Sequence, residues 1–168
     1  MRLRYHSVVE GLYQRFGTRL KTVVLFGSQA RNDAHPESDH DIFVMIDSLP
    51  ADPVARQRIV RGALLPVLGE LPGAISLIAR TPEEVASNLT PLLLDICADG
   101  ICLWGSGEFE PYRAKALAAL AASPLRRQRV GETLMWVSPH TPPRNWRLNW
   151  EGYVEYASNS VRTSCGME

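Results

Sequence analysis

Hydrophobic positions open the chain at helical spacing: Tyr5, Val8, Val9, Leu12 and Phe16 share one face, and Gly17 is placed to stop the helix. Leu20–Phe26 is a β-branched and aromatic run that predicts a buried strand, broken by Gly27 and Ser28. Gln29, Ala30 and Arg31 predict a short helical turn, residues 32–38 a polar loop, and His40–Ile46 a second strand. Residues 53–68 predict a long helix with Val54, Ile59, Leu64, Leu65 and Leu68 facing the core and Arg56, Arg58 and Arg61 outside. Pro66 is expected to kink or shorten its last turn. Residues 74–79 predict a third strand. Thr81, Pro82 and Glu84 then supply an N-cap, a proline at the first helical position and a capping-box partner. After an apolar stretch at 92–98 and a turn at Asp99 and Gly100, Ile101–Trp104 predicts a fourth strand.

The pattern changes after Gly105. Residues 111–122 predict an Ala/Leu-rich helix, and 126–137 a further helix with Val130, Leu134 and Val137 on one face. In 145–161, Trp146, Trp150, Tyr153 and Tyr156 recur every three or four residues. Read as a helix, they form an aromatic stripe that packs on the domain or on a partner. The expected architecture is α/β (α+β): a small mixed sheet flanked by helices over residues 1–105, and a helical C-terminal extension over 106–168. No internal repeat is present.

Composition narrows the class without choosing a function. At 168 residues and 45% hydrophobic, the chain is long enough for one core and too apolar for disorder. No apolar run approaches the roughly 20 residues that span a bilayer, and no signal-peptide core follows Met1; the expected location is cytoplasmic, with no membrane partner. Eighteen basic and 18 acidic side chains cancel, so net charge gives no support for nucleic acid as a partner. Sixteen of the basic residues are Arg, which biases basic sites toward forked phosphate contacts. Three cysteines without a C-x-x-C pair argue against a disulfide framework or structural zinc; Cys97 and Cys102 read as small core residues.

One stretch carries chemistry. Phe26-Gly27-Ser28-Gln29-Ala30-Arg31 leads from a strand into a helical turn, which leaves free backbone N–H groups beside a hydroxyl at the positive end of a helix dipole. Gly27 allows close approach, and Arg31 adds a charge-assisted grip on phosphate. Asp39 and Asp41 lie two apart at the mouth of the next strand, so alternation turns both carboxylates to one face. Paired carboxylates repel unless a cation lies between them, and magnesium held by one or two carboxylates plus substrate phosphates is the usual solution. Alone, a Gly-Ser turn or an Asp-x-Asp pair means little; together, at this spacing, they suggest metal-assisted phosphoryl or nucleotidyl transfer.

These residues, Gly27 to Arg31 with Ser38-Asp39-His40-Asp41-Ile42, resemble the signature of the DNA polymerase β-like nucleotidyltransferase superfamily, in its minimal, antitoxin-type branch. The resemblance covers roughly residues 5–104. It implies the nucleotidyltransferase fold, Mg2+ (with Mn2+ as substitute) at Asp39 and Asp41, and ATP phosphates at Gly27 and Ser28. It further implies AMP transfer to an acceptor hydroxyl, such as one on a HEPN-type partner protein. Two positions depart from the pattern. Asn32 stands where the family has glycine, a change Asn tolerates in left-handed geometry. Ser76 stands where a third carboxylate is usual; serine offers a neutral oxygen without charge or basicity. A catalytically degenerate nucleotide- or partner-binding module is therefore an alternative, and a small-molecule (aminoglycoside-type) nucleotidyltransferase another. Asp47 lies about 20 Å along the strand from Asp41 and is not a replacement; Asp95 and Glu70 stay open. His40 is expected on the opposite face from the aspartates, His35 in a loop within reach of a nucleotide, and Arg126, Arg127 and Arg129 on a solvated helix face or against an acidic partner. Base preference, acceptor and oligomeric state, a homo-oligomer included, are left open.

Overall fold

The computed structural model describes residues 2–36, 38–131, 133–141 and 145–156. Helix α1 (His6–Phe16) ends at Gly17, whose φ of 56° no β-carbon opposes, and leads into strand β1 (Leu20–Phe26). A five-residue helix, α2 (Gly27–Arg31), separates β1 from β2 (His40–Ile46). Helix α3 (Pro53–Gly62) crosses to β3 (Ile75–Arg80); α4 (Pro82–Ser87), α5 (Pro91–Asp99), β4 (Ile101–Trp104) and α6 (Ser106–Ala122) come next. The sheet order is β3-β2-β1-β4. Strand β1 runs antiparallel to both neighbours, while β2 and β3, joined through α3, are parallel.

Alternation divides the strands between two apolar clusters. Val23, Leu25, Ile42, Val44, Ile46, Leu77 and Ala79 meet α1 and the segment from Val60 to Leu71 on one face. Val24, Phe26, Phe43, Met45 and Cys102 meet α4, α5 and α6 on the other. Both faces are covered, which is why the two central strands read as unbroken apolar runs rather than alternating ones. Each fully buried Leu, Ile or Phe contributes roughly 1.5–3 kcal/mol by leaving water.

Helix α3 is shorter than its pattern predicts. The Pro66 ring opposes the carbonyl of Gly62, and the chain passes into a single 3-10 turn at Leu65–Val67. Val60, Ala63, Leu64 and Val67 face inward, and Val54, Leu65 and Leu68 are exposed. Arg56 does not face solvent either: it makes a two-pronged bond with Glu84 at 2.8 Å and reaches the Pro50 carbonyl. The Thr81 capping box forms as expected, with Glu84 at its third position.

The larger correction concerns the tail. Helix α6 starts five residues earlier than its alanine-rich core suggests. Beyond it the described residues are not helical: β5 (Arg126–Val130) and β6 (Thr133–Val137) form one hairpin, β7 (Trp146–Asn149) and β8 (Gly152–Glu155) another. Val130, Leu134 and Val137 satisfy a helical period by coincidence; Gly131, at φ 62°, turns the chain, and the β-branched Val130, Thr133 and Val137 favour strands. In the second hairpin Trp150 and Glu151 make the turn, and Asn149 pairs with Gly152. Trp150 donates to the Val85 carbonyl at 2.8 Å and stacks edge-on against Tyr112, so this aromatic packs on the domain, while Tyr156 stays exposed. Residues 157–161 of that stretch lie outside the described residues, as does Cys165.

Candidate functional site

Strand β1 ends opposite the acidic strand: Phe26 pairs with Asp41, and the chain turns at Gly27 with φ 71°. A β-carbon built on Gly27 would strike the Asp41 carboxylate, so the turn and the acid touch only because this residue is glycine. Helix α2 starts at that point, and its first N–H groups have no partner within the helix. It closes at Asn32 with φ 60° and ψ 26°, the left-handed geometry that Asn adopts with little penalty.

Asp41 also pairs in register with Ser76 of β3. Alternation sets Asp41 with Phe43 and Met45, and Ser76 with Ile78, on the face that carries α5 and α6. Burial pushes the Asp41 carboxyl up, a hydrogen bond donated by the Ser76 hydroxyl opposes this, and the negative charge of Asp39 raises it again; Arg31 and His40 pull the other way. The net shift is upward. Asp41 is thus an acid whose ionised form is only partly compensated, and a nearby cation would favour it.

His40 turns away from this pair, as alternation predicts. It is fully buried, donates from Nε2 to the Pro72 carbonyl at 2.6 Å and accepts from the Tyr5 hydroxyl at Nδ1, 2.8 Å away. The Pro72 oxygen is acceptor-only, which fixes the tautomer. Two bonds therefore anchor the first residue of β2 between the aspartates. In the loop, the Ser38 hydroxyl accepts from the His35 backbone and the Ser38 carbonyl accepts from Gln29, which ties the approach to Asp39 back onto α2.

Asp47 and Asp95 are engaged elsewhere. Asp47 pairs with Lys21 at 2.9 Å at the far end of β2. Asp95 accepts from Trp136 at 2.9 Å and pairs with Arg127 at 3.1 Å. Among the described residues no group of three or more His, Cys, Asp or Glu gathers at a metal-holding distance. Asp39 and Asp41 could hold a divalent cation with the Ser76 oxygen beside them, provided a substrate supplies the remaining oxygens.

A helical reading of residues 126–137 conceals strand β5, which brings two arginines to the edge of the site. Arg129 contacts Asp33 at 3.2 Å, and Arg127 pairs with Asp99 as well as Asp95. Neither lies on a solvated helix face; both meet acids of their own chain. The signal that could have found them is strand alternation, which puts 127 and 129 on one side of β5.

The site is thus a strand-turn-helix beside an acidic pair on the adjacent strand. Residues 7–69 match the family model described as a nucleotidyltransferase domain, which bears out the resemblance carried by Gly27 to Arg31 and Ser38 to Ile42. A relative in Methanocaldococcus jannaschii, named for protein adenylyltransferase activity, is 32% identical over 84 residues. That alignment takes in 49% of this chain and 57% of the relative, so the chain spans little more than half the length of the relative it matches. Among solved structures, a chain of a toxin-antitoxin complex with AMP-PNP aligns at TM-score 0.49 and 20% identity, over 68% of this chain and 85% of its own length. A chain of the MntA-HepT complex aligns at 0.47 and 19%, over 72% and 87%. No helix of the described residues is long and apolar enough to cross a membrane.

Proposed function

We propose that this protein transfers AMP from ATP to a hydroxyl of a protein acceptor, in a reaction dependent on magnesium. The observation that carries the reading is the contact of the Gly27 turn with Asp41, which sets free N–H groups beside an under-compensated acid. The match of residues 7–69 to nucleotidyltransferase domains and the adenylyltransferase name of the relative support the reaction class. The antitoxin-type resemblance of the motif supports a HEPN-type protein as acceptor.

The residues suit the chemistry asked of them. Gly27 and Ser28 would receive the β- and γ-phosphates on backbone N–H groups and the serine hydroxyl, with Arg31 as the charged contact from the same turn. Asp39 and Asp41 would hold Mg2+, which screens the triphosphate and favours ionisation of the acceptor. The acceptor oxygen forms a bond to the α-phosphorus as the α-β bridge breaks and pyrophosphate leaves. The acceptor proton passes to solvent; Ser76 has no basic oxygen to take it.

Ser76 also supports a second reading: a module that binds ATP or its partner through the same cradle and transfers nothing. Its hydroxyl is spent on Asp41, where a carboxylate would add charge. The two readings separate when the protein is incubated with α-labelled ATP and Mg2+, with and without the product of the adjacent gene. Transfer is expected on that product, and Asp41→Asn or Asp39→Asn should lower it about a hundredfold or more, the scale of losing one electrostatic contact to a transition state. ATP binding without label on protein, together with a gain of transfer in Ser76→Asp, would favour the binding module instead.

A further inference from the structure

Arg31, the charged residue of the α2 turn, is flanked by two acids: its Nε lies 3.2 Å from Asp33 and its Nη1 3.8 Å from Asp99. Each acid is shared. The same Asp33 oxygen that meets Arg31 accepts from Arg129 at 3.2 Å, and the same Asp99 oxygen pairs with Arg127. Arg127 is further held by Asp95 at 3.1 Å and lies over the Trp136 ring at 5.3 Å. The two arginines are i and i+2 on β5, outside the matched residues 7–69, and Arg129 reaches Asp33 across 96 positions of sequence.

The charge balance decides what Arg31 can do. Arg31 with Asp33 and Asp99 alone is one positive charge between two negative ones, a net negative group beside the cradle. Arg127 and Arg129 bring two positive charges to these acids, against the one further negative charge of Asp95. Asp33 stays ionised within it: partial burial opposes ionisation, but the bonds and charges of Arg31 and Arg129 outweigh it and hold its carboxyl below the usual range. A carboxylate oxygen divided between two guanidinium groups holds each less tightly, so Arg31 keeps more of its field for an incoming anion.

We propose that Arg129 and Arg127 of the β5–β6 hairpin are positioning residues for the triphosphate: they neutralise Asp33 and Asp99, so that Arg31 remains available to bind it. This rests on the nucleotide-site reading above. It makes the hairpin a working part of the site.

The test is calorimetric titration of the full chain with Mg2+ and AMP-PNP. Arg129 is half exposed, so its removal does not open the core. Arg129→Ala should weaken binding about tenfold, equivalent to about 1.4 kcal/mol. Arg129→Lys should retain most of the affinity, since the neutralising charge remains. The decisive variant is Arg129→Ala with Asp33→Asn, which should restore affinity to within about threefold of the parent, because the acid that captures Arg31 is gone. A merely structural ion pair predicts no such rescue. If Arg129→Ala binds like the parent, or if the double variant stays weak, the positioning role is overturned. If the parent itself fails to bind, the nucleotide-site reading falls first and this role with it.

Discussion

The raised carboxyl of Asp41 means that this residue costs the fold stability at neutral pH. Its carboxyl titrates above the ordinary value in the folded protein, chiefly through burial, so protonation is easier folded than unfolded. Stability from this group is present below the unfolded value of 3.8 and is lost as pH rises through the raised folded value. Asp41→Asn should therefore raise Tm at pH 7, and the gain should vanish below pH 3.8; Asn still accepts from Ser76. Equal Tm values at pH 7 would mean that Asp41 is already compensated. Mg2+ with AMP-PNP should stabilise the parent and not this variant, since only a folded-state ligand shifts the midpoint. At this scale the sequence was informative: two-residue alternation turned His40 to the face opposite the aspartates, where it is buried, and Asn32 took the left-handed geometry expected of it. The parallel register of β2 and β3 sets Ser76 beside Asp41, at the position the motif resemblance implied for it; neither strand read by itself contains that register.

Elements were legible where local chemistry and packing agree. The boundaries of β2 and the capping box of α4 are set by residues within one turn or strand. Thr81→Ala should cost about 1 kcal/mol, the usual worth of an N-cap, read as a lower urea midpoint with an unchanged slope. The hairpins were not legible, because short segments with apolar residues every three or four positions satisfy a helix as well as a strand. What decides between them is tertiary: Trp136 bonds to Asp95 of α5, and Trp150 to Val85 of α4. Trp150→Phe keeps an aromatic ring and loses the bond, so roughly 1 kcal/mol should be lost along with the near-ultraviolet signal of that indole. No loss would mean that the second hairpin is held by its apolar contacts alone.

At the scale of the whole molecule, the three layers were readable from the apolar strands, yet the relation of the tail to the site was not. Charges that neutralise one another across the fold leave no trace in net charge, and Arg129 and Asp33 are 96 positions apart. The two hairpins differ in consequence. The first is tied to the site through Asp33 and Asp99, whereas the second rests on α4 and α6 through Trp150. Hydrogen exchange reads this difference directly, because protection reports the free energy of local opening. Binding of Mg2+ and AMP-PNP should slow exchange at the amides of Gly27, Ser28 and Gln29, where phosphate would replace water, and in β5, whose arginines share the acids that flank Arg31. It should leave β7 and β8 unchanged. In Arg129→Ala the protection of the Gly27 turn should persist at saturating ligand, since the turn itself is intact, while protection in β5 should be lost. Uniform slowing of both hairpins would instead indicate a global gain in stability and break the link between β5 and the site.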